Sequence, residues 1–227
     1  MANMDVSRGV RKGFGMQLAT DVLLMAVLCA LAGVLSAQQP ASTSDAARKD
    51  YLEKFPWTLS NTTAGDAMML RVLVESQGAK NGVEVGTNTG YGAINMGIGF
   101  ERTGGHLTSI EINSRTAASA KTHLTNVGLD KVVTVVVGDA LKVLPTLEGT
   151  FDFVFLDALK PDYLKYLKLL EPKMKPGAVV VADNVIDYAQ QMPDFLEYIQ
   201  ASPLYDTVII RASMQKNDGM SISYRIR

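Results

Sequence analysis

Two apolar runs in this chain end abruptly in oxygen-bearing side chains. Phe151-Asp152-Phe153-Val154-Phe155-Leu156 is followed by Asp157, and Val179-Val180-Val181-Ala182 by Asp183 and Asn184. If the runs are neighbouring parallel strands, both acids and the amide fall at one sheet edge. Two carboxylates and an amide oxygen are hard ligands, suited to Mg2+ or another divalent cation with water completing its shell. Without a cation the two acids would repel, and one would hold its proton. The plainer alternative is that Asp157 and Asp183 each cap a following helix. Lys160 follows Asp157 by three residues, where the next helical pattern starts. An amine beside a cation gives up its proton more readily, which makes Lys160 the general base of such a centre. A surface lysine beside Pro161 is the alternative.

A second group of residues has the spacing of a nucleoside site. The first apolar run closes in Glu84-Val85-Gly86-Thr87-Asn88-Thr89-Gly90-Tyr91. Gly86 and Gly90 permit a tight turn and the close approach of a ligand, although an ordinary strand-to-helix turn would also use them. The dinucleotide pattern Gly-x-Gly-x-x-Gly is absent, because Asn88 stands at its second glycine. That argues against a nicotinamide-dependent oxidoreductase. Glu111 lies between Ile110 and Ile112, 21 positions after Gly90. An acid there can accept both hydroxyls of an adenosine ribose. Asp139, in Gly138-Asp139-Ala140, either accepts from an adenine amino group or caps the next helix. His106 and His123 lack metal-ligand spacing and read as surface or strand-end residues. Trp57 and Met68-Met69 read as core or pocket lining.

These residues must be positioned by the elements around them. Strand-like runs are Gly82–Val85, His106–Ile112, Val132–Val137, Phe151–Leu156, Ala178–Ala182, Thr207–Arg211 and Ser221–Arg225. Helical patterns cover Asp45–Lys54, a segment capped by Thr62 or Thr63 and running to Gln77, then Tyr91–Phe100, Ser114–Val127, Ala140–Leu147, Tyr163–Leu170 and Asp194–Gln200. Strand and helix alternate, and the strands are apolar throughout, so a mostly parallel sheet covered on both faces is expected. The fold class is α/β, a single Rossmann-like domain with seven strands. Asp218-Gly219 is a hairpin signal before the last strand, which should run antiparallel. The loops Asp187–Met192 and Ala212–Asn217 are placed to shape an acceptor pocket.

Composition narrows the function. The chain has 227 residues, 47% hydrophobic and 20% charged, with a net charge of −1. That suffices for one domain and supplies no basic field for nucleic acid. Arg8, Arg11 and Lys12 precede an uncharged apolar run, Val22 to Ala37, which is followed by a polar stretch, Gln38 to Ser44. Residues 1–37 are read as a secretory signal peptide or membrane anchor, with a buried helix as the remaining option. Residues 38–44 form a linker and 45–227 the domain. On this reading the protein is exported or membrane-associated through that segment, and otherwise cytoplasmic. Cys29, the only cysteine, lies inside the segment; its removal would leave no thiol chemistry in the domain.

The motifs together resemble the cation-dependent class I O-methyltransferases, which include the catechol and caffeoyl-coenzyme A enzymes. The similarity runs from about Thr62 to Arg227. Glu84 to Tyr91 is similar to that family's cofactor loop, with Glu84, Gly86, Thr87, Gly90 and Tyr91 in the cofactor-binding positions. Ile110-Glu111-Ile112-Asn113 resembles its ribose-binding segment. Leu156-Asp157-Ala158-Leu159-Lys160 and Ala182-Asp183-Asn184 resemble its metal and base motifs. The resemblance implies S-adenosylmethionine as cofactor, held by these residues with Asp139 and Asp157. It also implies a divalent cation on Asp157, Asp183 and Asn184, Lys160 as base, and a small phenolic acceptor with vicinal oxygens. A homodimer stays open as the assembly. Ala212 stands where catechol members carry a glutamate, six residues before Asp218-Gly219, and Leu159 where a tryptophan or acid is usual. The alternative function is a catalytically weak cofactor- and metal-binding protein of the same fold.

Overall fold

A computed structural model describes residues 43–227. The apolar amino-terminal segment, and the linker up to residue 42, lie outside the described residues. No described helix is long and apolar enough to cross a membrane. The described chain opens with α1 (Asp45–Glu53), capped by Ser44, whose side chain accepts from the Ala47 amide. Arg48 of this helix is buried; it donates to the Val127 carbonyl at 2.9 Å and pairs with Glu101. The pair ties α1 to the domain. Next comes α2 (Ala64–Gln77), capped by Thr63 through the Asp66 amide and closed by Gly78 in the left-handed conformation. Thr63, not Thr62, is therefore the cap.

Alternation then proceeds as β1 (Asn81–Val85), α3 (Tyr91–Thr103), β2 (His106–Glu111), α4 (Ser114–Asn126), β3 (Val133–Val137), α5 (Ala140–Val143), β4 (Phe151–Leu156), α6 (Tyr163–Leu170), β5 (Met174–Ala182), α7 (Pro193–Ala201), β6 (Tyr205–Ile210) and β7 (Met220–Arg225). The sheet order is β3-β2-β1-β4-β5-β7-β6. β1 to β5 are parallel, and β7 runs antiparallel between β5 and β6. Side chains alternate along each strand, so the buried strands feed two cores. Phe153, Phe155, Val179 and Val181 pack on the face of α2 and α3, while Val154, Leu156, Val180 and Ala182 face α6 and α7. Each large side chain so buried contributes roughly 1.5–3 kcal/mol.

Asp218-Gly219 does not form the hairpin turn expected of it. β6 ends at Ile210 and β7 starts at Met220, so the connection is longer than a two-residue turn, and neither residue has positive φ. Asp218 instead points its carboxylate at the loop after β5. It accepts from the amides of Ile186 (3.1 Å), Asp187 (2.9 Å) and Gly219 (2.7 Å) and from the Asn184 side chain (2.8 Å). Burial opposes its charge, but these donors outweigh burial and hold the carboxyl below its usual range.

Candidate functional site

Strand register decides which side chains meet. Val85 pairs with Ile110 on one side and Leu156 on the other, and Leu156 pairs with Ala182. The next residues along these strands, Glu111, Gly86, Asp157 and Asp183, therefore lie in a row at the carboxyl edge. Backbone bonds continue past the strand ends: the Asp157 amide donates to Val85 (2.8 Å) and the Asp183 amide to Leu156 (2.9 Å). The sheet order reverses around β1 and β4, the place where ligands enter folds of this kind. A cavity of about 880 Å³ opens there.

Gly86 is required by the crowding of this edge. Its φ is +102°, and a Cβ atom would sit 2.0 Å from the Asp157 carbonyl oxygen. Asn88 follows in the left-handed conformation (φ 48°), which asparagine tolerates better than most residues. Its amide donates to Glu111 at 2.8 Å, and the Asn113 amide donates to the other Glu111 oxygen at 2.9 Å. Two amides thus fix the Glu111 carboxylate at the cavity wall. Asp139 also lines the cavity, with one oxygen accepting from the Leu141 amide at 3.0 Å. It caps α5 and lines the cavity at once.

Asp157, Lys160, Asp183 and Asn184 line the same cavity. Lys160 sits in a 3-10 turn ahead of α6. Its ammonium is 3.1 Å from Asp157 and donates to the Tyr163 hydroxyl at 2.8 Å, while that hydroxyl donates to the Asp183 carbonyl at 3.2 Å. Burial pushes the Tyr163 phenol well above its ordinary value, so it serves as a neutral relay that aims Lys160. Asn184 also has positive φ (63°), and its amide nitrogen is taken by Asp218. Among the described residues no three His, Cys, Asp or Glu side chains group around an ion site. The available set is therefore two carboxylates and one amide oxygen.

Electrostatics single out Asp183. Burial, then the nearby Asp157 charge, push its carboxyl up to about 7, and Lys216 offsets only part of this. Lys216 reaches Asp183 with 2.6 and 2.8 Å contacts to its two oxygens. The expected acceptor loops do border the cavity, through Tyr188 and Gln191 on one side and Lys216 on the other. Sequence reasoning does not single out Lys216 or the loop Leu59–Asn61, which also lines it. The signals for Lys216 are its place within the loop Ala212–Asn217 and two residues before Asp218.

Four residues expected to touch a cofactor are not among those that line this cavity. Glu84 is buried and accepts from the Ser109 hydroxyl, which lies 2.5 Å from the Thr87 hydroxyl. Burial pushes Glu84 up to about 8. Gly90, at φ +96°, turns the chain against Ala120. Tyr91 is the first residue of α3. Its ring packs between Phe55 and Trp57, beside a second cavity of about 540 Å³ that Trp57 and Met68 also line. His123 stacks in the same aromatic group and bonds to the Tyr51 hydroxyl at 2.6 Å.

Known proteins resemble this chain in sequence and in fold. Residues 36–194 match the O-methyltransferase family. The chain is 26% identical over 199 residues to caffeoyl-CoA O-methyltransferase of Medicago sativa, covering 79% of this chain and 80% of that enzyme. It is 36% identical over 121 residues to catechol O-methyltransferase of Niastella koreensis, covering 52% of this chain and 54% of that protein. Among solved structures it resembles the O-methyltransferase TomG from Streptomyces achromogenes, involved in tomaymycin synthesis and determined in complex with SAM. There the TM-score is 0.70 at 26% identity, over 92% of this chain and 96% of TomG. A glycine loop without the dinucleotide pattern, a seven-stranded sheet with one reversed strand and a family match over most of the described domain agree: the chain belongs to the O-methyltransferase family.

Proposed function

We propose that the chain transfers the methyl group of S-adenosylmethionine to a phenolic oxygen of a small, catechol-like acceptor, assisted by a divalent cation such as Mg2+. One observation carries this reading. The row Glu111–Gly86–Asp157–Asp183 brings Glu111 and Asp139 onto the same cavity as Asp157, Asp183, Asn184 and Lys160. The residues fit the ion. Asp157, Asp183 and Asn184 offer hard oxygens, and the Asn184 nitrogen is already committed to Asp218, which leaves its oxygen as the free end. Burial makes Asp183 dependent on a nearby positive charge to stay ionised at neutral pH. A bound divalent cation would supply Lewis acidity to the acceptor hydroxyls and bring vicinal oxygens into line.

The chain's own groups do the rest. Glu111 accepts the ribose hydroxyls and Asp139 the adenine amino group, while Ile110 and Leu141 exclude water. Lys160, aimed by Asp157 and Tyr163, takes the acceptor proton in its neutral amine form and becomes the ammonium. The acceptor oxygen then forms a bond to the methyl carbon as the carbon–sulfur bond breaks, and that electron pair returns to sulfur as a neutral thioether. Alignment of the two reactants supplies most of the acceleration.

The test is transfer from methyl-labelled S-adenosylmethionine to a panel of catechols, with and without chelator. Transfer should require a divalent ion. Lys160→Ala should lower turnover about 100-fold or more with cofactor binding intact; unchanged turnover would remove Lys160 as the base. Asp157→Ala should abolish transfer, and an active, chelator-resistant variant would exclude the metal. No transfer at any ion concentration would favour the catalytically weak binding protein instead. For residues 1–37 we retain the export signal or membrane anchor, checked by the intact mass of protein recovered from cells.

A further inference from the structure

Among the described residues Lys216 is the one cationic side chain in contact with the Asp183 carboxylate, and it is shared. Its ammonium lies 2.6 and 2.8 Å from the two Asp183 oxygens and 3.0 Å from Asp66 Oδ2. Asp66, in the first turn of α2, is fully buried. Its Oδ2 also accepts from the Thr63 hydroxyl at 2.7 Å, whereas its Oδ1 is buried with no hydrogen-bond partner. Burial works against the Lys216 charge, but Asp183 and Asp66 together outweigh it and hold the ammonium above its ordinary value. A buried carboxylate with one orphaned oxygen costs free energy, and that cost falls when a donor arrives.

The ammonium occupies both oxygens that the proposed ion would need. Asp157 has its own lysine, Lys160, in contact with one oxygen. Lys216 extends from the segment between β6 and β7, outside any helix or strand, and already touches Oδ2 of the carboxylate whose Oδ1 has no partner. We propose that Lys216 is a tethered cation that competes with a divalent ion for Asp183, and that Asp66, with its unpartnered oxygen, is the seat to which the lysine withdraws when the ion binds. This rests on the metal-assisted reading above. It adds that the chain carries a built-in competitor, which weakens ion binding and keeps the acid paired when the ion is absent.

Mn2+ binding to the full chain, followed by electron paramagnetic resonance and calorimetry without any acceptor, tests the idea independently of turnover. Lys216→Met should bind Mn2+ at least about tenfold more tightly than the unaltered chain. Lys216→Gln, which keeps a polar end but no charge, should shift the same way and serves if the methionine variant does not fold. Asp66→Asn, which removes the charged second seat, should weaken Mn2+ binding several-fold. Equal or weaker binding in a folded Lys216→Met or Lys216→Gln protein overturns the competitor role. In that case Asp183→Asn still tells the two ideas apart: loss of Mn2+ there keeps the metal reading and discards only Lys216. If none of these proteins binds Mn2+ at millimolar concentration, both ideas fall together.

Discussion

Glu84 shows how a single buried acid can set the pH response of the fold. It has almost no exposure, its principal donor is the Ser109 hydroxyl, and burial raises it from the ordinary 4.5 to about 8. The folded chain therefore resists an ionisation that the unfolded chain undergoes freely. Stability from this group is complete below about pH 4.5 and is lost as pH rises towards 8, where the folded carboxyl finally ionises. Glu84→Gln should flatten that slope. Thermal melts from about pH 5 to 8.5 should show the unaltered protein losing on the order of a few kcal/mol relative to the variant. Parallel curves would mean that Glu84 keeps its charge through a partner other than Ser109.

At the scale of elements, the site depends on how closely the residue after β1 approaches the residue after β4, its neighbour in the sheet. Gly86→Ala should cost about 2–4 kcal/mol in urea denaturation, from positive φ and from the 2.0 Å approach to the Asp157 carbonyl together. A loss below about 0.5 kcal/mol would mean that the two strand ends do not meet this way. The strand ends are legible in the amino-acid order alone, because an apolar run that stops at Asp157 or Asp183 marks the carboxyl edge directly. What is not legible comes from local backbone and from burial. The helical pattern begun at Ala140 extends to Leu147, but Pro145 lacks the amide and α5 ends at Val143, leaving a 3-10 turn over Leu144–Thr146. β5 starts at Met174, ahead of the expected Ala178, because Lys175-Pro176-Gly177 stays in the strand through a register irregularity opposite Phe151 and Phe153. Lys216 and Asp66 are silent for another reason: their pairing with Asp183 joins three distant segments, and no spacing records it.

The whole described domain should report its ligands through stability. S-adenosylhomocysteine at about 100 times its Kd should stabilise by about 2.7 kcal/mol. For a domain of this size that is a rise of about 5–10 °C in Tm. A smaller, additive rise with Mn2+ should vanish in Asp183→Asn. No shift with S-adenosylhomocysteine would mean that the folded domain does not bind it, which overturns the nucleoside site at Glu111 and Asp139.

The sheet order carries one more consequence. β6 is made before β7, yet its only neighbour in the described sheet is β7, which slots between it and β5. During synthesis β6 must wait, its Val208 and Ile209 without backbone partners, until Met220–Arg225 leaves the ribosome and zips both sides at once. The same late zipper brings Asp218 against the loop that holds Asn184. Completion of the sheet and the docking of Asp218 on the loop of Asn184 thus depend on the same late segment of the chain.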